Sequence, residues 1–199
     1  MNHPLRREML AAKIIVILRG LRREIAVPAC EALAGEGLRF LEVPLNTPGA
    51  LETIALLAEH FRNTEVHIGA GTVLTPAAVE EVARVGGEYI ISPNTSPAVI
   101  RRTVELGLLS LPGFQTPTEA FAAIDAGADL LKAFPCGTPE NIRVLKSVVP
   151  LPIFAVGGID RSNRDAFLAA ADGLGVGIGI FRPEMSVEEL RRSARNFLA

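Results

Sequence analysis

The chain has 199 residues, and 20 Lys and Arg against 22 Asp and Glu leave a net charge of -2. Hydrophobic residues make up 49% of it, which excludes a disordered chain, while the near-balanced charge speaks against non-specific nucleic-acid or polybasic membrane binding. No apolar run approaches the ~18 residues of a membrane-spanning helix. Two cysteines, Cys30 and Cys136, give no disulfide framework, so a cytoplasmic protein with reduced thiols is expected.

The N-terminal stretch MNHPLRREMLAAKIIVILRG places basic residues ahead of an apolar run, as a signal peptide does. The run IIVIL is short, β-branched and followed by Arg19, which fits a first strand (14–20) better. Further short runs follow in order: FLEVPL (40–45), HIGAGTV (67–73), YIISPN (89–94), LLSLPG (108–113), LLKAFP (130–135), IFAVGGI (153–159) and GVGIGIF (175–181). Amphipathic stretches separate them. Several open on a cap-and-proline pair, at Thr75-Pro76, Ser96-Pro97, Thr116-Pro117 and Thr138-Pro139, and several close on glycine, at Gly37, Gly86, Gly107 and Gly127. Apolar strands alternating with helices predict a parallel sheet covered on its outer face. Eight such units in series predict an α/β fold, a single (β/α)8 TIM barrel over 1–199. A doubly wound open sheet is the alternative, and the lack of a GxGxxG in the first turn weighs against it.

Chemistry in such a barrel sits at the C-terminal ends of the strands. Those ends carry Arg19, Glu42, Asn46, Thr72, Pro93, Lys132 with Phe134, the pair Gly157-Gly158, and Gly177 and Gly179, the last two read as lying within the eighth strand. The only lysines are Lys13, Lys132 and Lys146, so a lysine inside an apolar strand is unlike incidental surface charge. Alternation puts Lys132 and Phe134 on one face. Burial disfavours the ammonium form, and a desolvated amine is the nucleophile for a Schiff base with a ketone; a lysine snorkelling to solvent or paired with an acid is the plainer alternative. Glu42 is the only carboxylate inside any of the runs. Facing Lys132 across the barrel, it suits acid–base work on a carbonyl substrate, or else a structural salt bridge. The paired glycines fit the phosphate site that these barrels build from backbone N–H groups, or simply tight turns. Arg19 and Thr72 suit a carboxylate or phosphate oxygen. The histidines, His3, His60 and His67, form no cluster with ligand spacing, so no metal is expected.

The segments LEVPLNTP, IGAGTVL, ISPN, LPG, LKAFP and FAVGGI, in this order, resemble the class I aldolases of 2-keto-3-deoxy-6-phospho sugar acids, over about residues 14–182. The resemblance implies a (β/α)8 barrel, usually a homotrimer, that needs no cofactor and cleaves its substrate to pyruvate and glyceraldehyde 3-phosphate. It implies that Lys132 forms the Schiff base and Glu42 moves protons. Thr72 would bind the carboxylate, Pro93 would shape the pocket, and Gly157 and Gly158 would bind phosphate. Asn46, Val156 and Arg19 look like the 6-phosphogalactonate type; the gluconate type carries arginine at the first of these positions and threonine at the second. The gluconate epimer and 4-hydroxy-2-oxoglutarate remain alternative substrates. Ile180 stands where the family carries a serine in the strand-eight loop, which leaves backbone N–H groups, aided by Arg182, to hold phosphate. Two readings of other kinds stay open: a metal-free phosphosugar isomerase, and a non-catalytic phosphometabolite-binding barrel.

Overall fold

The computed structural model describes residues 3–199. Nine parallel strand segments make one sheet: β1 (Ile14–Ile17), β2 (Phe40–Pro44), β3 (His67–Gly71), β4 (Tyr89–Ile91), β5 (Leu109–Leu111), β6 (Gly113–Phe114), β7 (Leu131–Ala133), β8 (Ile153–Val156) and β9 (Gly173–Val176). Their order is β5-β4-β3-β2-β1-β9-β8-β7-β6, so the two outermost segments are the halves of one run, 109–114, broken at Pro112. Proline has no N–H to give to a ladder. Its carbonyl still accepts from Lys132 N at 2.9 Å, and Leu111 O on the other half accepts from Ser92 N at 3.4 Å, which closes the sheet on itself. The expected eight-unit barrel is therefore present, with its fifth strand in two pieces.

Eight helices alternate with the strands: α2 (Arg23–Gly35), α3 (Ala50–His60), α4 (Pro76–Arg84), α5 (Pro97–Glu105), α6 (Pro117–Asp125), α7 (Pro139–Lys146), α8 (Arg164–Leu168) and α9 (Val187–Leu198). The four cap-and-proline pairs each open a helix. Thr75, Thr116 and Thr138 accept hydrogen bonds from backbone N–H groups of the first turn, whereas the Ser96 side chain makes no such bond.

Two differences from the sequence reading stand out. The first is a helix ahead of the barrel, α1 (Pro4–Ala12), which turns Leu5 and Met9 inward. They pack against Ile15, Phe40, Tyr89, Ile91, Leu109, Leu130 and Phe154, the side chains that fill the barrel. The second is the last run. The strand there is Gly173–Val176, and residues 177–181 form a tight turn in which Ile180 N and Phe181 N both donate to Gly177 O at 2.9 Å. Gly177 and Gly179 thus follow the eighth barrel strand instead of lying in it.

The interior is filled by pairing large side chains with glycines. A Cβ on Gly173 would lie 2.2 Å from the Phe154 ring, and one on Gly69 would lie 2.3 Å from the Tyr89 ring. Outward-facing residues such as Val16, Leu41, Ile68, Ile90 and Leu174 form a second apolar layer with the helices.

Candidate active site

Lys132 is the middle residue of β7, and Phe134 follows the strand's end. Only 6% of Lys132 is exposed. Among the described residues Lys146 is the one lysine in a salt bridge, to Asp172, and Lys132 has none. Its Nζ stands 4.7 Å from the centroid of the Phe134 ring, whose face favours a cation without neutralising it. Burial pushes the Lys132 ammonium below the usual lysine range; the Glu42 charge opposes this, and Arg19 adds to it.

Glu42, in β2, is only 2% exposed, and its Oε2 has no hydrogen-bond partner among the described residues. Burial pushes its carboxyl above the usual range, while the positive charges of Lys132 and Arg19 pull it part of the way back. The carboxylate stands directly over Gly71, where a Cβ would lie 1.6 Å from Oε1. A lysine pushed down and a glutamate pushed up, each feeling the other's charge, are suited to exchanging protons with a bound carbonyl compound.

A cleft of about 380 Å³ opens at the C-terminal end of the barrel. Its walls bring together Arg19, Phe134, Val156, Gly157, Gly158 and Gly177. Its volume suits a small metabolite. Lys132 and Glu42 are not in its lining; they lie deeper, and Phe134 connects Lys132 to the wall. Arg19 Nη1 donates to Asn46 Oδ1 at 2.8 Å, so two residues singled out for substrate type are joined across β1 and β2, with Val156 in the same cleft.

The two glycine loops are built differently. Gly157 and Gly158 have φ of 117° and 67°, which side chains rarely adopt. Gly179 is needed for closeness instead, since a Cβ there would lie 2.4 Å from Ile159 O. Cys136 Sγ donates to Gly157 O at 3.2 Å and ties the first loop down. The N–H groups of Gly158, Gly177, Ile178 and Gly179 donate to no acceptor among the described residues. Such unclaimed donors are what an anion needs. The expectation for Ile180 is corrected here: it is fully buried in the outer apolar layer, and Ile178, 73% exposed, is the residue that the turn presents to the cleft. Sequence reading missed Ile178 because a run of alternating glycines hides which side each intervening residue faces.

Thr72 and Pro93 follow β3 and β4, half-buried and outside the cleft lining. Thr72 has φ of 56°, an unusual conformation for a β-branched residue that costs about 1–3 kcal/mol and concentrates at working sites. The Pro93 backbone lies against Gly113, where a Cβ would come within 2.4 Å of its carbonyl. His67 begins β3 at the opposite end of the barrel, bonded to Glu88 (2.9 Å) and Glu8 (3.1 Å). No group of three or more His, Cys, Asp or Glu able to hold a metal exists among the described residues.

Against known proteins, the family described as KDPG and KHG aldolase matches residues 5–191. A probable 2-dehydro-3-deoxy-6-phosphogalactonate aldolase of Rhizobium meliloti is 41% identical over 94% of this chain and 90% of its own. The 2-dehydro-3-deoxy-6-phosphogalactonate aldolase of Escherichia coli is 38% identical, covering 93% of this chain and 92% of its own. A KHG/KDPG aldolase of the same species is 30% identical over 82% of this chain and 76% of its own. Among solved structures, one described as native KDPGal superposes with a TM-score of 0.90 at 38% identity, over 93% of this chain and 92% of its own. A cage designed by fusing symmetric oligomeric domains has a TM-score of 0.90 at 38% identity, over 94% of this chain and 70% of its own. The KDPG aldolase of Legionella pneumophila, with pyruvate captured as a covalent carbinolamine, has a TM-score of 0.81 at 26% identity, over 94% of this chain and 95% of its own.

Proposed function

This chain belongs to the KDPG and KHG aldolase family and is a lyase, and we propose that it cleaves 2-dehydro-3-deoxy-6-phosphogalactonate to pyruvate and glyceraldehyde 3-phosphate through a Schiff base on Lys132. The observation that carries the reading is the buried amine of Lys132, unpaired with any acid, sharing the barrel interior with the buried carboxylate of Glu42. A lysine held for structure would have an ion-pair partner. The carbinolamine captured in the Legionella relative supports covalent chemistry at an amine in this family.

The reaction follows from the two groups. Neutral Lys132 attacks C2 of the 2-keto acid to give a carbinolamine. Proton transfer through Glu42 expels water and leaves an iminium, which draws electrons from C3. Glu42 accepts the proton of the C4 hydroxyl, the C3–C4 bond breaks, and its electron pair forms the enamine while glyceraldehyde 3-phosphate departs. Protonation of the enamine at C3 and addition of water at C2 release pyruvate and restore the amine. One water is lost and one regained, so no external reagent is needed. Arg19 and Thr72 hold the substrate carboxylate, Pro93 and Phe134 shape the pocket, and the loops carrying Gly157, Gly158, Gly177 and Gly179 receive the phosphate.

The galactonate epimer is favoured by two lines of support. Relatives of that name share 41% and 38% of residues against 30% for the KHG/KDPG enzyme. Arg19 and Val156 also line the cleft together, with Asn46 hydrogen-bonded to Arg19 behind it. A homotrimer is the proposed assembly, and the likeness to a cage of symmetric oligomeric domains supports self-association of such barrels. The cytoplasm is the proposed location; no helix among the described residues is long and apolar enough to cross a membrane. The test is borohydride reduction in the presence of pyruvate, followed by peptide mapping, with coupled assays of both C4 epimers. The added mass belongs on the Lys132 peptide, and the galactonate epimer should have the higher kcat/KM. Label on Lys13 or Lys146 alone overturns the assignment of the amine.

A further inference from the structure

We propose that Gly71 is a positioning residue of the reaction: the missing side chain there is the space in which the Glu42 carboxylate stands. The inference rests on the role proposed for Glu42. Alternation along β3 points residues 69 and 71 into the barrel, and both are glycine. Each gives up its volume to a different neighbour. At Gly71 a Cβ would meet Glu42 Oε1 at 1.6 Å, Cδ at 2.4 Å and Cγ at 2.9 Å. At Gly69 it would meet the Tyr89 ring at 2.3–2.5 Å. Neither glycine has a positive φ, so alanine is compatible with the backbone at both, and the consequence depends on what must move.

The two cases differ in kind. Tyr89 is fully buried and wedged beside Phe40, with ring centroids 5.9 Å apart, so Gly69→Ala collides with a ring that has nowhere to go. The carboxylate of Glu42 is the far end of a flexible side chain, and Oε2 is held by no hydrogen bond. Gly71→Ala therefore displaces the carboxylate and leaves the strand in place. The bare inward face of β3 thus holds an acid at one position, with no hydrogen bond anchoring its Oε2. A displacement on the scale of an ångström at a proton-transfer group is expected to lower turnover by about 10²-fold.

The experiment is a double-mutant cycle on the full chain: native, Gly71→Ala, Glu42→Gln, and both together, with kcat, KM, the pH–rate profile and thermal melting measured for each, and Gly69→Ala melted alongside. Gly71→Ala is expected to lose about 10²-fold in kcat, with KM within about threefold, an altered acid limb of the pH profile and a melt close to native. Added to Glu42→Gln, the same substitution should change kcat by less than about threefold, because it acts only through Glu42. Gly69→Ala should melt well below Gly71→Ala. The inference is overturned if Gly71→Ala keeps native kcat and pH profile, if its penalty is as large in the Glu42→Gln background, or if it unfolds as readily as Gly69→Ala. If Glu42→Gln itself retains native turnover, the role of Glu42 falls and this inference with it; slow Glu42→Gln beside native-like Gly71→Ala removes this inference alone.

Discussion

Replacing Lys132 by Met should abolish cleavage and make the protein more stable. Lys132 is 6% exposed, has no salt bridge, and is held below the ordinary lysine range by burial. The sign follows from linkage. A lysine whose folded pKa lies below its unfolded value of about 10.4 binds fewer protons in the native state between those two values. Stability therefore rises with pH across that window, and below it the folded state carries the full penalty of a desolvated ammonium. Each unit of lowering is worth about 1.4 kcal/mol. Met fills nearly the same volume and needs no solvation. What is lost is the contact over Phe134, about 0.5–2 kcal/mol, and the attraction to Glu42, which then becomes protonated more readily. The net expectation is a gain of about 1 kcal/mol near neutral pH, or roughly 2–4 °C in Tm for a chain of this size. Differential scanning calorimetry at pH 7 and pH 10.5 measures it, and the gain should shrink at the higher pH. A Lys132→Met protein that melts several degrees lower than native at pH 7, or one that still cleaves substrate, would refute the reasoning, because the amine would then be a satisfied structural group.

Val156→Thr places a hydroxyl in the cleft wall and should move the ratio of kcat/KM values toward the gluconate epimer by roughly a factor of two to ten, the worth of one hydrogen bond; paired assays of the two epimers check it. Ile180→Ser, which the sequence alone would offer as a repair of a phosphate loop, should instead destabilise by about 2–5 kcal/mol, since Ile180 is fully buried in the outer apolar layer and the hydroxyl gains no partner there. Urea titration measures that loss, and a tighter KM for phosphorylated substrate with unchanged stability would contradict it. His67 is raised above its ordinary value by its bonds to Glu88 and Glu8, against the effect of burial. Its contribution is complete below the unfolded value of about 6.5 and fades as pH rises through the higher folded value, so the stability gap between native and His67→Gln should be wider at pH 6 than at pH 9.

The barrel was legible because its strands are short β-branched runs between capped helices, and Lys132 and Glu42 stood out as charges where a strand should be apolar. What stayed hidden has a common cause. Glycine carries no side chain to display an inward or outward face, so GVGIGIF read as one strand although only Gly173–Val176 pairs. For the same reason IGAGTV disclosed nothing of Gly71 and the carboxylate standing on it. The helix α1 went unread because Leu5 and Met9, its two buried residues, sit among arginines and a glutamate in a helix of only 9 residues. The break at Pro112 was visible as a residue but not as a seam, since a proline in a run says that a bond is missing without saying that its carbonyl still serves the neighbouring strand.

Tyr89, lodged over Gly69 inside the barrel, is the only tyrosine in the chain, and there is no tryptophan. Excited at wavelengths that its nine phenylalanines do not absorb, this protein therefore emits from a single ring. That ring is shielded from solvent, feels the charge of Glu42, and faces the barrel interior from β4. Quenching by added solutes reads the opening of the barrel alone, and a change in lifetime on binding a keto acid reads the charge state beside it, with no background from any other residue of that kind.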